Sequence, residues 1–473
     1  MALTQSELVE GLSAVVGPSH VLTEPEAMAP FLKEWRGLFP GQARCVVRPA
    51  TTAEVSEVLK FCHTHRIPLV PQGGNTGLVG GQTPWQSGEE IVLSLQRLNR
   101  IRDVDPLSDT MVCEAGVTLS TAQEMAEKVD RLFPLSLASE GTCTIGGNLS
   151  SNAGGTAVLA YGNARELTLG LEVVLADGRV MDLLGRLRKD NTGYDLKNIF
   201  IGAEGTLGII TAAVLKLFPR PRAQATAICG LASPQSALHL LAAMKDRFGN
   251  GVTTFELLPA LAMAMVCDHI PGNRHPLSSA HQWYVLLEIS GADDALNERV
   301  ESALADAIEK GIIEDAVLAA SLDQRMAFWR LRETLPEAQG FEGGSIKHDI
   351  AVPIASVPGL IEAICTRVEK LVPGARPVPF GHLGDGNLHF NITQPQNMDR
   401  ATFMALWDDV GAIVYDETVK LRGSISAEHG IGRLKKALLR EVKDPVALAL
   451  MGDLKRMLDP LNILNPGKVI DVV

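Results

Sequence analysis

The chain has 473 residues, 46% of them hydrophobic and 21% charged, which is long enough for two or three domains and too apolar for a disordered chain. A formal charge of -12, with no long run of Lys and Arg, argues against a nucleic acid or an anionic membrane as the main partner. Seven cysteines are scattered without a CxxC pair, so neither a disulfide framework nor an iron–sulfur module is suggested. The first stretch, MALTQSELVEGLSAVVG, has no arginine and two glutamates, unlike a secretory or transit leader, and no apolar run reaches membrane-spanning length. The cytoplasm is the compartment these features favour.

Residues 5 to 39 read as two short amphipathic helices, the second carrying Phe31, Trp35, Leu38 and Phe39 on one face. Cys45 to Arg48 reads as a strand. Thr51 and Glu54 form a capping-box signature before Val55, Val58, Leu59 and Cys62, the buried face of a helix. A strand at Ile67 to Val70 follows, and strand, helix, strand implies a parallel pair. It leads into PQGGNTGLVGG (71–81), five glycines in eleven residues. Their physical use is to let backbone N–H groups turn around an anion such as a pyrophosphate; a flexible surface loop is the competing reading.

Strands are expected at Glu90 to Leu95 and Thr110 to Glu114, then a helix from Leu119 to Val129. Glycine clusters recur at GTCTIGGN (141–148), SNAGG (151–155) and AEGTLGII (203–210), separated by a strand at Leu167 to Leu175 and a hairpin turn at Asp177–Gly178. Several such loops suit a nucleotide with a long extended body. Neither a GxGxxG nor a GxxxxGK[ST] pattern occurs, which disfavours a nicotinamide or a P-loop site.

Pro219-Arg220-Pro221-Arg222 punctuates the end of a long apolar run. Beyond it come a strand at Ala225 to Leu231, a helix at Ser233 to Phe248, a strand at Trp283 to Ile289 and a helix at Asp294 to Lys310, the alternation of an α+β layer. Arg332 sits on a further helix, where a pairing with an acid of that helix is the bland expectation. Ser345 to Pro353 reads as a strand. In FGHLGDGNLHFN (380–391) apolar residues alternate on both sides of Gly384-Asp385-Gly386, giving a hairpin with Asp385 as turn former that can bring His382 and His389 together. Two neutral imidazoles at close range are a common way to hold a divalent metal, and Glu428 in SAEHG (426–430) could complete a His/His/Glu set. A surface hairpin whose histidines merely hydrogen-bond is the alternative.

PQGGNTGLVGG, GTCTIGGNLSSNAGG, LRKDNTGYDLKNIFIGAEGTLGIIT, FGHLGDGNLHFN, SAEHGIG and LNILNPGK together resemble the FAD-linked D-2-hydroxy-acid dehydrogenases of the vanillyl-alcohol-oxidase-type flavin fold. The likeness spans nearly the whole chain and is strongest to the members acting on D-2-hydroxyglutarate, with the D-lactate and glycolate enzymes as relatives. It implies an α+β protein: a two-part α/β FAD-binding domain plus a substrate domain with an antiparallel sheet covered by helices. The boundaries that suit are a helical N-terminal segment 1–41, an FAD domain 42–221, a substrate and metal domain 222–430, and a segment 431–473 returning to the flavin.

By the same resemblance FAD is held by Gly73, Gly74, Asn75, Thr76 and Gly77, by Gly141, Thr142, Ile145, Gly146 and Gly147, by Asn152 and Gly154, by Glu204, Gly205, Ile209 and Ile210, and by Asn465. Arg332, Lys347 and Asn391 serve the substrate. His382, His389 and Glu428 are the expected metal ligands and His429 the general base. Zinc is the metal implied, although such a ligand set also holds iron, manganese or cobalt.

Two departures qualify the likeness. Pro336 stands where the hydroxyglutarate enzymes have a substrate-contacting threonine, which leaves substrate chain length open. The first glycine loop has Gln72 and no histidine or cysteine, so the FAD is expected to be noncovalent. With no iron–sulfur cysteines, an electron-transfer flavoprotein or a quinone is the expected acceptor. The expected activity is oxidation of a D-2-hydroxy acid to the 2-oxo acid; D-lactate or glycolate dehydrogenase, or an oxygen-using oxidase, are the alternatives. A homodimer is compatible with all of these.

Overall fold

The computed structural model describes residues 3–471 and divides into two compact units, Met1–Gly154 with Asn163–Arg220 and Glu428–Val473, and Gly155–Gly162 with Pro221–Ala427.

The first unit holds β1 (Val21–Leu22), β2 (Val46–Val47), β3 (Leu69–Gln72), β4 (Ile91–Ser94), β5 (Ile101–Asp105), β6 (Thr110–Glu114), β7 (Arg131–Leu132), β8 (Thr168–Val174), β9 (Val180–Leu183), β10 (Ile209–Lys216) and β11 (Phe218–Pro219). One sheet runs β1-β2-β4-β3, with β4 parallel to both β2 and β3. The expected parallel strands therefore flank β4 and do not pair directly. The helix Thr52–His65 starts where Thr51 accepts the Glu54 N–H, and it packs Val55, Val58, Leu59 and Cys62 into the core over this sheet. A second sheet, β5-β6-β10-β8-β9, is antiparallel throughout. β7 and β11 form a separate ribbon.

Near the N-terminus the helix Gln5–Val16 forms behind a Thr4/Glu7 capping box, but the expected second helix does not. A single turn at Pro25–Met28 and a tighter one at Ala29–Phe31 give way to irregular chain, leaving Trp35 74% and Leu38 52% exposed. The reason is local. Gly37 adopts φ +67°, and the buried Glu34 carboxylate accepts the N–H groups of Arg36, Leu38 and Phe39, bonds that compete with a helix ladder.

The second unit contains β12 (Ala223–Leu231), β13 (Val252–Pro259), β14 (Trp283–Gly291), β15 (Asp315–Leu318), β16 (Ser345–Ala351), β17 (Arg376–His382) and β18 (Asn387–Thr393). They build one antiparallel sheet in the order β15-β12-β14-β13-β17-β18-β16. β13 and β17 pair at two positions, Glu256 with His382 and Leu257 with Gly381. Alternation sorts the side chains. Phe255, Leu257, Val285, Leu287, Ile346, Ile350, Leu388, Phe390 and Ile392 face one way, into a core completed by the helices Pro234–Phe248, Leu296–Glu309, Val357–Leu371 and Trp407–Lys420. The opposite face carries Glu256, His382, His389 and Asn391, beside a smaller core made with the helices Ala260–His269, Leu322–Glu333 and Leu335–Phe341.

Candidate functional site

The β17–β18 hairpin closes as the alternation predicts. His382 O accepts the N–H groups of Asp385 and Gly386, and Asp385 caps the turn by accepting the Asn387 N–H at 3.0 Å. Gly386 has φ +85°, and a Cβ there would lie 2.1 Å from Val352 O, so the turn requires glycine. The two imidazoles come together, with ring centroids 5.5 Å apart.

A carboxylate that the sequence did not single out organises this row. Glu256 accepts from His382 Nδ1 at 2.5 Å through one oxygen and from Arg332 Nε at 2.6 Å through the other. Burial pushes this carboxyl up, but His382 and Arg332 outweigh burial and hold it down to about 2. An ionised Glu256 can only accept, so His382 carries its proton on Nδ1 toward Glu256 and turns the Nε2 side away from it. Arg332 therefore finds its acid on β13, not on its own helix. Its guanidinium lies 4.8 Å over the Phe380 ring, and Phe380 stands opposite His389 in the ladder. The terminal nitrogens of Arg332 have no acceptor among the described residues.

Asn391 lies opposite Lys347, which is exposed, and donates through Nδ2 to Gln339 Oε1 at 2.7 Å. Asp349, also missed in the sequence, pairs in register with His389 and accepts from Asn387 Nδ2 at 3.0 Å. Strand alternation from Lys347 was the signal that placed Asp349 on this face. Glu256 had a weaker one, a lone carboxylate inside the apolar run TTFELLP.

Glu428 and His429 follow directly on Ala427 and belong to the first unit, while Asp349 and His389 stand opposite each other on the sheet of the second. Imidazole and carboxylate side chains are donors suited to zinc, iron or manganese. His382 neighbours His389 on the same face of that sheet.

In the first unit the glycine clusters form backbone walls. A Cβ on Gly74 would stand 1.9 Å from Thr142 O, and one on Gly73 2.4 Å from Thr144 Oγ1, so the first two clusters pack through bare backbone. None of the backbone N–H groups from Gly73 to Gln82 has an acceptor among the described residues. Such a run of unpaired donors fits an anionic pyrophosphate, and so the cofactor that the sequence implies. Gly141 and Thr142 precede a short helix, Ile145–Ser151, that the glycines concealed; Thr144 caps it, and Gly146 and Gly147 lie inside it. Asn152 ends that helix in the left-handed region and accepts the Arg165 N–H, while Gly154 is buried just beyond.

The polar side chains assigned to the flavin have protein partners of their own. Asn75 donates to Pro30 O at 3.0 Å and Lys33 O at 2.9 Å, and Asn465 donates to Gly81 O and Glu204 O, both at 2.9 Å. The Glu204 carboxyl accepts the N–H groups of Ile431 at 2.7 Å and Gly432 at 2.9 Å; burial pushes it up to about 7 against these bonds and Lys435. Thr76 and Gly77 continue the unpaired run, Gly205 takes φ +70° against Pro71, and Ile209 and Ile210 are buried at the start of β10.

Comparison with known proteins finds FAD-linked domains along most of the chain. A model of FAD-binding domains matches residues 43–184, and a model of the C-terminal domain of FAD-linked oxidases matches residues 220–469. The chain is 38% identical over 466 residues to a mitochondrial D-2-hydroxyglutarate dehydrogenase of Arabidopsis thaliana, covering 98% of this chain and 82% of that one. Identity to the Bos taurus protein of the same name is 39%, over 96% of this chain and 82% of the relative. To a D-2-hydroxyglutarate–pyruvate transhydrogenase of Saccharomyces cerevisiae it is 35%, over 94% and 90%. Among solved structures, p-cresol methylhydroxylase superposes with a TM-score of 0.75 at 19% identity, covering 99% of this chain and 97% of the other. For 4-ethylphenol oxidase from Gulosibacter chungangensis the TM-score is 0.74 at 16% identity, with 98% and 97% covered. The fold is that of the vanillyl-alcohol-oxidase-type flavoproteins.

One expectation is overturned. Relatives from plants and animals are named as mitochondrial, which contradicts the cytoplasmic reading. That reading leaned on free cysteines, and cysteine usage separates oxidising from reducing surroundings without telling one reducing compartment from another.

Proposed function

The chain belongs to the family of FAD-linked oxidases that includes the D-2-hydroxyglutarate dehydrogenases, and from that membership we propose that it oxidises a D-2-hydroxy acid, D-2-hydroxyglutarate foremost, to the 2-oxo acid. The observation that carries the substrate class is Arg332. A guanidinium held by its Nε on Glu256, with its terminal nitrogens unpaired among the described residues, is an anchor for a carboxylate beside the paired histidines.

Bound FAD supplies the hydride acceptor, and a divalent cation, zinc first, supplies the positive charge that makes the substrate hydroxyl more acidic. His382, His389 and Glu428 would hold that cation. The Glu256 contact to His382 supports this, because metal-bound imidazoles characteristically donate their other N–H to a carboxylate. His429, next in the chain to Glu428, takes the hydroxyl proton. Arg332 and Lys347 orient the carboxylates, and Asn391, steadied by Gln339, contacts the substrate. The bonds balance: the O–H proton passes to the imidazole of His429, the C–H electron pair leaves as hydride, and the C–O bond becomes a carbonyl. Electrons then leave to a separate carrier, an electron-transfer flavoprotein or a quinone.

An anaerobic screen of D-2-hydroxy acids for bleaching of the flavin tests this reading. D-2-Hydroxyglutarate should bleach fastest, and slow recolouring in air marks a dehydrogenase. No bleaching by any of these acids overturns the substrate class.

A further inference from the structure

Lys455 occupies the last turn of the helix Pro445–Leu458 with its side chain buried. Its ammonium donates to Thr206 O at 2.9 Å, Leu464 O at 2.7 Å and Asp459 Oδ2 at 2.6 Å, which uses all three of its N–H bonds. Asp459 is buried as well, and accepts the N–H groups of Ile463 at 3.0 Å and Leu464 at 2.7 Å. Burying two charges is expensive, and such a pair is weak evidence for stability as such.

What the pair does geometrically is more specific. The turn it shapes lays Ile463–Asn465 alongside β3, with Leu69 N donating to Ile463 O and Asn465 N to Leu69 O, each at 2.8 Å. From this turn Asn465 reaches Gly81 O and Glu204 O, while Lys455 itself takes Thr206 O. Every contact made on the glycine-rich loops by these two side chains is to a carbonyl oxygen. The N–H groups of Gly73 to Gln82, and those of Gly205, Leu207 and Gly208, keep no acceptor among the described residues.

We propose that Lys455 and Asp459 form a flavin-positioning clasp that grips the 204–208 loop and the Asn465 turn by their carbonyl edges, so that the backbone N–H groups stay presented to the anionic part of FAD. The inference rests on the flavin part of the reading above and not on the substrate.

The test is FAD affinity of the full-length apoprotein, measured by fluorescence titration without substrate, alongside the apoprotein melting temperature. Lys455→Met and Asp459→Asn should each weaken FAD binding by about tenfold or more, the scale of one lost charge-assisted hydrogen bond. The double variant Lys455→Met with Asp459→Leu removes both charges, so its apoprotein should melt closer to wild type than Lys455→Met while its FAD affinity stays low. It also carries the test if a single variant fails to fold. Wild-type FAD affinity in the double variant, or lowered melting temperatures with unchanged affinity in the single ones, overturns the clasp. A wild-type apoprotein that does not bind FAD would instead refute the flavin reading itself.

Discussion

His382 and Glu256 are joined side chain to side chain across the sheet, Nδ1 to carboxylate at 2.5 Å, and the same carboxylate holds Arg332. One acid thus orients a histidine expected to hold the metal and an arginine expected to hold the substrate. Glu256→Gln cannot serve both donors, because a carboxamide offers one accepting oxygen and a competing N–H face. Metal affinity or activity should fall by about 10- to 100-fold with FAD retained, as for other partners of metal-bound imidazoles. Elemental analysis and the anaerobic rate of flavin reduction read this out, and a variant unchanged in both removes Glu256 from the site.

Arg332→Lys keeps the charge but loses the planar fork. The Michaelis constant for D-2-hydroxyglutarate should rise by about 10- to 100-fold, the worth of hydrogen bonds to a charged group, with a smaller change in kcat. Steady-state kinetics of the purified variant decide it; a constant within about twofold of wild type would show that the substrate carboxylate sits elsewhere.

Glu428 and His429 are adjacent in the chain, yet their proposed roles differ. His429→Ala should keep metal and FAD and turn over about 100- to 10,000-fold more slowly. Glu428→Ala should lose the metal as well. Metal content against the rate of flavin reduction separates them, and loss of metal from His429→Ala with retention in Glu428→Ala exchanges the assignments.

Glu204 offers a pH signature. Burial lifts its folded-state pKa from 4.5 to about 7, so the folded state favours the protonated acid. Its contribution to stability is full below about pH 4.5 and is lost as pH rises through about 7. Glu204→Gln removes this dependence. The melting temperature of the variant relative to wild type should therefore improve between pH 5 and pH 8, and a difference that stays flat or runs the other way contradicts the assignment.

The histidine hairpin could be read from the chain because a period of two and a glycine turn are local signals. Glu256 and Asp349 left only weak marks in the chain, since what brings each to its place is which residue faces it on a neighbouring strand, His382 for one and His389 for the other. The helix Ile145–Ser151 was hidden by glycines whose small size serves packing, with Gly146 lying against Ala115. The false helix after Ala29 failed for the opposite reason. Its apolar spacing was right, but Glu34 offered the backbone a better set of bonds.

The seven-stranded sheet is thinnest where β13 meets β17, two residue pairs wide, and one of those pairs is Glu256 with His382. The ladder's mechanical weak line thus runs through its chemistry. Whatever tightens the grip on His382 also stitches the two half-sheets together, so backbone amides along this seam should exchange with solvent more slowly when the site is filled than when it is empty. Occupancy would be legible in the skeleton of the protein, without following any turnover.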